Sequence, residues 1–470
     1  MLEIVRHQII EGLRDARFIF IALLVLVAFA ANGFIYAERS RSAMEDWSEA
    51  VADTTRMLAT RAGNLQEISS YPQRMVKHPS ALAFIADGGE ERIPNTLLVN
   101  AFRHRTESLA NRGNEMFPII PVVDWVFIIG TVMTLLALLL SFGSICGEKR
   151  DGTLRQMLSY PVSRMKIFVG KYLGLLFVLT ITLLVGIAVS ISIMFLSGTL
   201  PLTERVITAV GWAVIISILC LSFFLLSGIA VSSLVQRPAV ALVILMIFWL
   251  VCIIAIPGLA RLLGENAVSV PTSFDVDRES SAKGDEIWVS APDRTFNWSS
   301  APEYRFTEDA QNRATYVKLY ADEMQRISDR ATSAWIRQAE FIQTVSCASP
   351  AGLLGDALQR LSGTGISGYK AFRRNARRYN QQLYAFAVQR DSLDPDTPHN
   401  VYSWGVSIDE GTFSTRPVEL SSFPRYHTLW LEGGLPEEQD WPLIHILLFL
   451  AGNLQMAILA FIALARYDPR

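Results

Sequence analysis

Long apolar runs, separated by polar stretches of very different lengths, dominate this chain of 470 residues. A helix needs about 20 apolar residues to cross the hydrocarbon core of a bilayer, because no backbone polar group can stay unpaired in lipid. Six runs meet this requirement. The pattern therefore predicts membrane spans at residues 18–36, 118–142, 173–196, 206–226, 238–259 and 442–465.

The segment that precedes the first span has apolar residues at helical spacing, Leu2, Val5, Ile9 and Leu13. This spacing predicts an amphipathic helix over residues 1–17 that lies at the membrane surface. A plain helical leader remains the alternative.

A cleavable signal peptide is a second interpretation of the same start, with cleavage near Ala28–Ala31. The apolar run is as long as a span, whereas the apolar region of a signal peptide has roughly 7–15 residues. We therefore favour a first span that is retained in the mature protein.

Two long polar insertions interrupt the spans, at residues 37–117 and 260–441. The first is helix-compatible, with breaks at Pro72, Gly88–Gly89 and Pro94, and is predicted to form a small helical cap. The second is long enough to form a domain.

Two apolar stripes at helical spacing mark long helices in the second insertion, and we expect them to pack on each other as a hairpin. Ser349 and Pro350 suit the start of a helix between them. Residues 275–300 and 391–424 are predicted to be loops, with a short strand-like piece at Glu286–Ser290. The first stripe is Ala310, Ala314, Val317, Ala321, Met324, Ala331, Trp335 and Ile342, and the second is Tyr369, Phe372, Ala376, Tyr379, Leu383 and Phe386.

Composition agrees with a membrane protein, since 51% of the residues are hydrophobic and only 18% are charged, and the mean hydropathy is +0.30. The fold class that follows is all-α, with six transmembrane helices and a mainly helical domain between spans five and six. Lys and Arg near span ends resist translocation, which places the loops that carry them, and both termini, in the cytoplasm. The insertions are then outside. These basic residues are Arg6, Arg14, Arg17, Lys149, Arg150, Arg155, Arg164, Lys166, Lys171, Arg237 and Arg466.

Catalytic and metal-binding patterns are not found in the sequence. The four cysteines and six histidines have no metal-ligand spacing, and there is no phosphate-binding G-x-x-x-x-G-K-[ST] loop or G-x-S-x-G turn. We expect no metal and no catalytic activity in this chain. Nucleic acid is also disfavoured as a partner, because residues 260–441 hold 19 Lys or Arg against 25 Asp or Glu.

Four arginines, Arg373, Arg374, Arg377 and Arg378, share one flank of the second long helix. They could hold an anionic ligand. We favour ion pairs with acidic residues of the first long helix, Glu308, Asp309, Asp322, Glu323 and Asp329.

Polar residues within spans are rare, and each is a candidate for a translocation path because lipid disfavours them. Asp124 lies near the outer end of span two, where we expect water to reach it, and Asn453 and Gln455 lie midway along span six. Hydrogen bonding between helices is the alternative that we favour. No series of buried carboxylates suggests an ion-coupled transporter.

The loop between spans two and three, residues 143–172, carries a charged strip that is punctuated by glycine. Gly147 and Gly152 can bracket a short helix, and Pro161 can end it before span three. Charged residues on such a helix suit charge-assisted docking on another protein. The strip is Gly147, Glu148, Lys149, Arg150, Asp151, Gly152, Thr153 and Leu154, followed by Leu158, Ser159, Tyr160, Pro161, Val162, Ser163 and Arg164.

These residues resemble the cytoplasmic coupling segment of type-2 ABC exporter permeases, with its G-E-K-x-x-G-T-L and L-x-Y-P-V-S-R pattern. The two insertions resemble a bacterial subgroup with a large periplasmic domain, whose elements are similar to Ser349–Ala351 and Leu361–Thr364. The resemblance implies a permease of the inner membrane that exports a cargo. It also implies coupling to an ATPase through Gly147, Glu148, Lys149, Arg150, Gly152, Thr153, Leu154, Tyr160 and Pro161.

The same resemblance implies the partners. Two copies of a separate ABC ATP-binding subunit would carry ATP and Mg²⁺, while this chain would hold no cofactor of its own. A second permease chain, identical or different, would complete the pathway, and a periplasmic protein is a further partner. Two other classes stay open: a membrane-anchored receptor or scaffold without transport, and a secondary transporter.

Overall fold

The computed structural model of the protein describes residues 2–14, 16–90, 93–106, 122–160, 162–290, 306–402, 412–426 and 442–466. The helices are α1 Leu2–Arg14, α2 Ala16–Arg61, α3 Leu65–Ser70, α4 Trp125–Phe127, α5 Thr134–Ser141, α6 Cys146–Asp151, α7 Thr153–Ser159, α8 Arg164–Leu196, α9 Glu204–Leu234, α10 Pro238–Leu250, α11 Ile256–Ala267, α12 Ser273–Val289, α13 Glu308–Ser346, α14 Pro350–Ser362, α15 Gly365–Asp391 and α16 Leu443–Ala465. The strands are β1 Gln73–Val76, β2 Thr96–Val99 and β3 His104–Thr106.

Six helical stretches in the described part of the chain are long and apolar enough to cross a membrane, as predicted. Span two joins α4 and α5 through a π-helical turn, Ile128–Met133. Span five joins α10 and α11 through a second one, Val251–Ala255. The other spans are α2, α8, α9 and α16. The predicted start of span two, residues 118–121, lies outside the described residues.

Small residues let the span helices approach closely. A Cβ atom on Gly186 of α8 would lie 2.3 Å from the ring of Phe29 in α2. A Cβ atom on Gly228 of α9 would lie 1.8 Å from the hydroxyl of Ser141 in span two. Packing of this kind, rather than a hydrophobic driving force, holds helices together in lipid.

The first insertion is not the small helical cap that we predicted. Helix α2 continues far beyond the predicted end of span one, to Arg61, and the chain then forms α3 and a three-stranded antiparallel sheet in the order β1-β2-β3. Each strand has only three or four residues. Strands as short as these leave little alternation in the sequence to reveal them.

The second insertion departs from prediction in two places. Residues 275–289 are not a loop, and Glu286–Ser290 is not a strand, because α12 runs from Ser273 to Val289 after a capping box at Thr272 and Asp275. The two long helices α13 and α15 do form where the stripes predict them, but they do not bury their stripes mainly against each other. Helix α13 packs chiefly along α11 and α12.

The stripe of α15 instead packs against the first insertion. Tyr369, Phe372 and Tyr379 are fully buried in a cluster with Leu65 and Met75 of that insertion. The hydroxyl of Tyr379 also donates to the Gln73 side chain at 2.5 Å. Both insertions therefore form one folded unit at the same end of the span bundle, which we call the insertion side. The opposite end, where α6 and α7 lie, is the coupling side.

The arginine flank of α15 is ion-paired in part, as we favoured. Arg373 and Arg377 lie 2.6 and 3.1 Å from the carboxylate of Asp329 on α13. These pairs tie the two long helices together along an edge that their apolar stripes do not cover.

Candidate coupling site

Two short helices, α6 and α7, form the charged strip on the coupling side. They meet at Gly152, whose φ of 77° lies in the left-handed region. A side chain at this position would cost about 1–2 kcal/mol, since its Cβ would crowd the following carbonyl oxygen. Gly147 has no such constraint, because it lies within α6. The strip is thus a bent helix pair rather than one short helix bracketed by the two glycines.

Span four holds the first of these helices at its N-terminus. The hydroxyl of Ser232 accepts hydrogen bonds from the backbone N–H groups of Ile145 and Cys146, both at 3.0 Å. The Lys149 ammonium donates to the backbone carbonyl of Ser233. Helix α6 is therefore fastened to the end of span four by three hydrogen bonds.

Lys171 of span three connects four elements at a buried point. Its ammonium lies 2.6 Å from the Glu148 carboxylate of α6 and donates to the Ser144 carbonyl at 2.8 Å and to the Gln8 side chain of α1 at 3.5 Å. The Lys171 side chain is only 3% exposed. A buried charge needs such partners, because the desolvation of an unpaired ammonium is costly.

The second helix packs Leu154 and Met157 inward and has a broad outer face. Leu154 is fully buried in the core of the span bundle, and Met157 packs against the same core. The opposite face is polar and exposed. We call this exposed set the docking surface; it comprises Arg150, Asp151, Thr153, Arg155, Gln156 and Tyr160.

Some predicted coupling residues are therefore not part of the docking surface. Glu148 contacts Lys171 and Lys149 contacts the Ser233 carbonyl of their own chain, and their contact with a partner protein stays a prediction. Arg150 pairs with its neighbour Asp151 and stays exposed. Tyr160 is 63% exposed at the end of α7. Pro161 lies outside the described residues.

The C-terminal end of span six also reaches the coupling side. The guanidinium of Arg164, at the start of α8, donates to the backbone carbonyls of Leu464 and Ala465. A cation at a helix C-terminus is favourable, because it meets the unpaired carbonyls and the negative end of the helix dipole.

Asn453 joins spans within the membrane. Its amide donates to the Leu219 carbonyl of α9 at 3.0 Å, and its side-chain oxygen accepts from Ser222 at 2.6 Å. Tyr172 of α8 lies 2.7 Å from the same serine hydroxyl. These bonds are the interhelical kind that we favoured. Gln455, by contrast, is exposed on the surface of α16.

Asp124 is buried, with 8% of its surface exposed, and is not open to water as expected. Its carboxylate caps span two by accepting from the Phe127 N–H at 2.8 Å and holds the first insertion by accepting from the Asp87 N–H at 3.0 Å. The residue thus fixes the insertion side of span two.

Sequence reasoning missed the residues that hold the site in place. Ser232 looks like any small polar residue at a span end, and Lys171 was counted only as a basic loop residue. Asn32, fully buried, donates to the carbonyls of Phe84 and Val123 and accepts from Ser190, so it ties span one to three other segments. The available signal was that each is polar within or beside an apolar run.

The bundle of span helices and the bent helix pair define a multi-span α-helical membrane protein of the permease class. A family model described as "ABC-2 family transporter protein" matches residues 2–320. The chain belongs to this family. Residues 291–402 match a second family model, described as a domain of unknown function, DUF3526.

Two curated relatives share a short segment with the chain. Both are named "Probable ABC transporter permease protein NosY", one from Pseudomonas aeruginosa and one from Stutzerimonas stutzeri. Each is 42% identical over 55 residues, which are 12% of this chain and 20% of the relative. The chain thus matches one fifth of the length of these relatives.

Proposed function

We propose that this chain is the membrane subunit of an ATP-driven exporter, and that a separate ATPase docks on α6 and α7. The observation that carries the proposal is the division of these helices into two faces. The inner face is bonded to the chain's own spans, and the docking surface is polar and exposed. A solvated loop with no partner would not need an inner face that is bonded to the spans.

The bonds of the inner face give a route for mechanical coupling. A force on the docking surface reaches span four through Ser232, span three through Lys171, and α1 through Gln8. Movement of the docked ATPase would therefore tilt the spans as rigid bodies, in the manner of other domain rotations that switch access. Glu148 and Lys149 act in this route as internal fasteners rather than as contacts to the ATPase.

The remaining partners follow the same scheme. Two ATPase copies with ATP and Mg²⁺ would serve two permease chains in the bacterial inner membrane, with both termini cytoplasmic and the insertion side periplasmic. Spans five and six leave many apolar side chains exposed in the isolated chain. Lipid and a second permease chain would cover them. The insertion side would then be available to a periplasmic protein.

The test is affinity purification of the tagged chain from its native membrane, with identification of co-purifying proteins and an ATPase assay. We expect a P-loop protein in stoichiometric amount and vanadate-sensitive activity. Arg155→Glu should reduce the amount of ATPase recovered at least fivefold, because it reverses charge on the docking surface. Arg326→Glu is the matched control, since Arg326 is also exposed but lies on the insertion side.

Recovery of no ATPase in mild detergent that keeps the chain folded would contradict the proposal and favour a receptor or scaffold. Equal recovery with Arg155→Glu and with Arg326→Glu would remove the docking surface from the proposal.

A further inference from the structure

A cavity of about 710 Å³ lies on the insertion side, between α13 and the turn that joins α11 to α12. Three arginines of α13 line it, Arg326, Arg330 and Arg337. Their spacing of four and seven residues places them within about 40° of one another around the helix, so they share one face. Three guanidinium groups along one wall give the cavity a positive potential.

Two of these arginines have carboxylate partners at the surface. Arg326 lies 2.5 Å from Glu323, and Arg330 lies 2.8 Å from Glu279 of α12. In both pairs the arginine side chain is mostly exposed, and exposed ion pairs are weak because water screens them. The remaining carboxylate of the lining, Asp329, pairs with two arginines of α15. An anionic ligand can therefore compete for this wall.

Arg337 is the arginine of this wall that the chain itself does not use. It is exposed, and it makes no hydrogen bond or ion pair with any residue that the structure describes. Ser269 and Ser333 also line the cavity and add hydroxyl groups. A guanidinium offers two parallel N–H groups to a pair of phosphate oxygens, and hydroxyl groups can donate to the same anion.

The surface beside the cavity is apolar on the side of the spans. Phe341 lies one helical turn from Arg337 toward the spans and is exposed. The Gln338 side chain donates to the Val268 carbonyl at 2.7 Å, which sets the end of α11 level with this turn of α13. Helix α11 adds the exposed leucines Leu259, Leu262 and Leu263. The surface thus changes from apolar to basic within about 5.4 Å, one helical turn, as expected where hydrocarbon meets headgroups.

We propose that this cavity binds the phosphate group of an anionic phospholipid of the surrounding membrane. Arg337 would donate to the phosphate oxygens, and the acyl chains would lie against Phe341 and the exposed leucines of α11. A soluble phosphate ester would contact the polar wall alone, so the adjoining apolar surface favours a lipid. The site belongs to the chain in its membrane and does not rest on the docking of an ATPase.

The test uses the purified full-length chain in detergent and native mass spectrometry, which measures the binding of single lipid molecules. The probes are dioleoyl phosphatidylglycerol, dioleoylglycerol with the same chains but no phosphate, and glycerol 3-phosphate with no chains. We expect phosphatidylglycerol to bind at least tenfold more tightly than either of the others. Arg337→Gln should weaken its binding at least fivefold. The matched control Arg378→Gln, at an exposed arginine of α15 that does not line the cavity, should leave it unchanged.

A second variant tests the charge of the cavity without a change at Arg337. Ser333→Glu would place a carboxylate among the arginines, and we expect it to weaken phosphatidylglycerol binding at least fivefold. Equal binding of phosphatidylglycerol and dioleoylglycerol, or the same loss in Arg337→Gln and Arg378→Gln, would overturn the proposal. Glycerol 3-phosphate that binds as tightly as phosphatidylglycerol would overturn the assignment to a lipid. No ATPase is present in this experiment, so a failure of ATPase docking would leave its result standing.

Discussion

On the coupling side, single residues connect several helices through contacts that their sequence pattern does not indicate. Lys171 is the clearest case, because one ammonium holds α1, span two, α6 and span three together. From sequence it is one of several basic residues in a cytoplasmic loop. Its role depends on which carbonyls and carboxylates the fold brings within 3 Å, and spacing along the chain does not determine that.

Lys171→Met should lower the free energy of unfolding by about 2 kcal/mol, since it leaves the Glu148 carboxylate without its buried partner. The value is below the 3–5 kcal/mol of a fully buried pair because Glu148 is partly exposed. Denaturant unfolding in detergent would measure it. Lys370→Met, at an exposed pair with Glu340, should cost less than about 1 kcal/mol.

A double-mutant cycle with Glu148→Gln separates the pair from other effects of the substitution. The double variant should be less destabilised than the sum of the two single variants. Strict additivity would show that the ion pair contributes nothing to stability.

Asp356 gives a prediction on pH. Burial disfavours its charged form, but the hydrogen bond from His445 and the charge and hydrogen bond of Arg360 outweigh burial and hold the pKa of this carboxyl below its usual value. The native state therefore binds the proton more weakly than the unfolded chain. The stability that this effect contributes is fully present above about pH 4 and is lost as the pH falls through the lower native pKa.

We expect the difference in melting temperature between wild type and Asp356→Asn to be constant above about pH 5 and to shrink below about pH 4. Asp396, whose side chain is 85% exposed, provides the control. Asp396→Asn should differ little from the wild type throughout that range. A gap for Asp356→Asn that widens toward low pH would contradict the assignment.

At the scale of elements, the bend between α6 and α7 depends on the backbone of one glycine. Apart from the adjoining residues and the backbone of the same helix, a Cβ atom at Gly152 or at Gly147 would meet no atom within 4 Å. The two sites therefore differ in backbone conformation and not in the space around them. The left-handed φ of Gly152 penalises any side chain, whereas Gly147 is helical.

Gly152→Ala should therefore disturb the bend and reduce ATPase recovery at least threefold, with a cost of about 1–2 kcal/mol to the local structure. Gly147→Ala should leave recovery unchanged or improve it slightly, since alanine favours a helix by up to about 1 kcal/mol over glycine. Co-purification at equal expression compares the two. The same loss in both variants would indicate that side-chain volume, not backbone conformation, matters at the interface.

The sequence predicts where the helices of this protein lie along the chain better than it predicts which elements pack against them. Spans and the helices α13 and α15 follow from apolar periodicity, because burial of one stripe requires a repeat near 3.6 residues. The periodicity does not state what covers the stripe. Tyr369 and Phe372 of α15 pack on α3 and the sheet about 300 residues earlier in the chain, a contact that local pattern does not encode.

The candidate site shows the same division. The charged strip and its glycine turn are recognisable from the sequence. The sequence does not show which residues of the strip face the spans and which face outward. Glu148 and Arg150 differ by two positions, yet the first is paired with Lys171 and the second is on the exposed face. Only the place of Ser232 and Lys171 in the bundle decides between them.

At the scale of the whole molecule, the two insertions depend on each other. Their shared core joins Leu58, Leu65 and Met75 of the first to Tyr369 and Tyr379 of the second. Hydrogen bonds from Ser80 to the Ser362 carbonyl and from Thr364 to the Ala86 carbonyl close the same boundary.

A fragment of residues 260–441 alone should therefore fail to fold, because the apolar stripe of α15 would be exposed to water. Fusion of residues 37–106 to it through a flexible linker should restore a cooperative thermal transition. Circular dichroism during heating would distinguish the two. A cooperative transition in the isolated fragment, equal to that of the fusion, would show that the second insertion is an independent domain.

Helix α2 is continuous from the membrane to Arg61. The part that follows Tyr36 has 25 residues, or about 38 Å at 1.5 Å per residue. A tilt of the membrane part by about 5° would displace the far end by about 3 Å, since a straight helix turns as a rod. That end carries Leu58, which lies in the shared core of the insertions. A change of angle that is barely measurable within the bilayer would therefore arrive at the far surface as a displacement comparable to the length of a hydrogen bond.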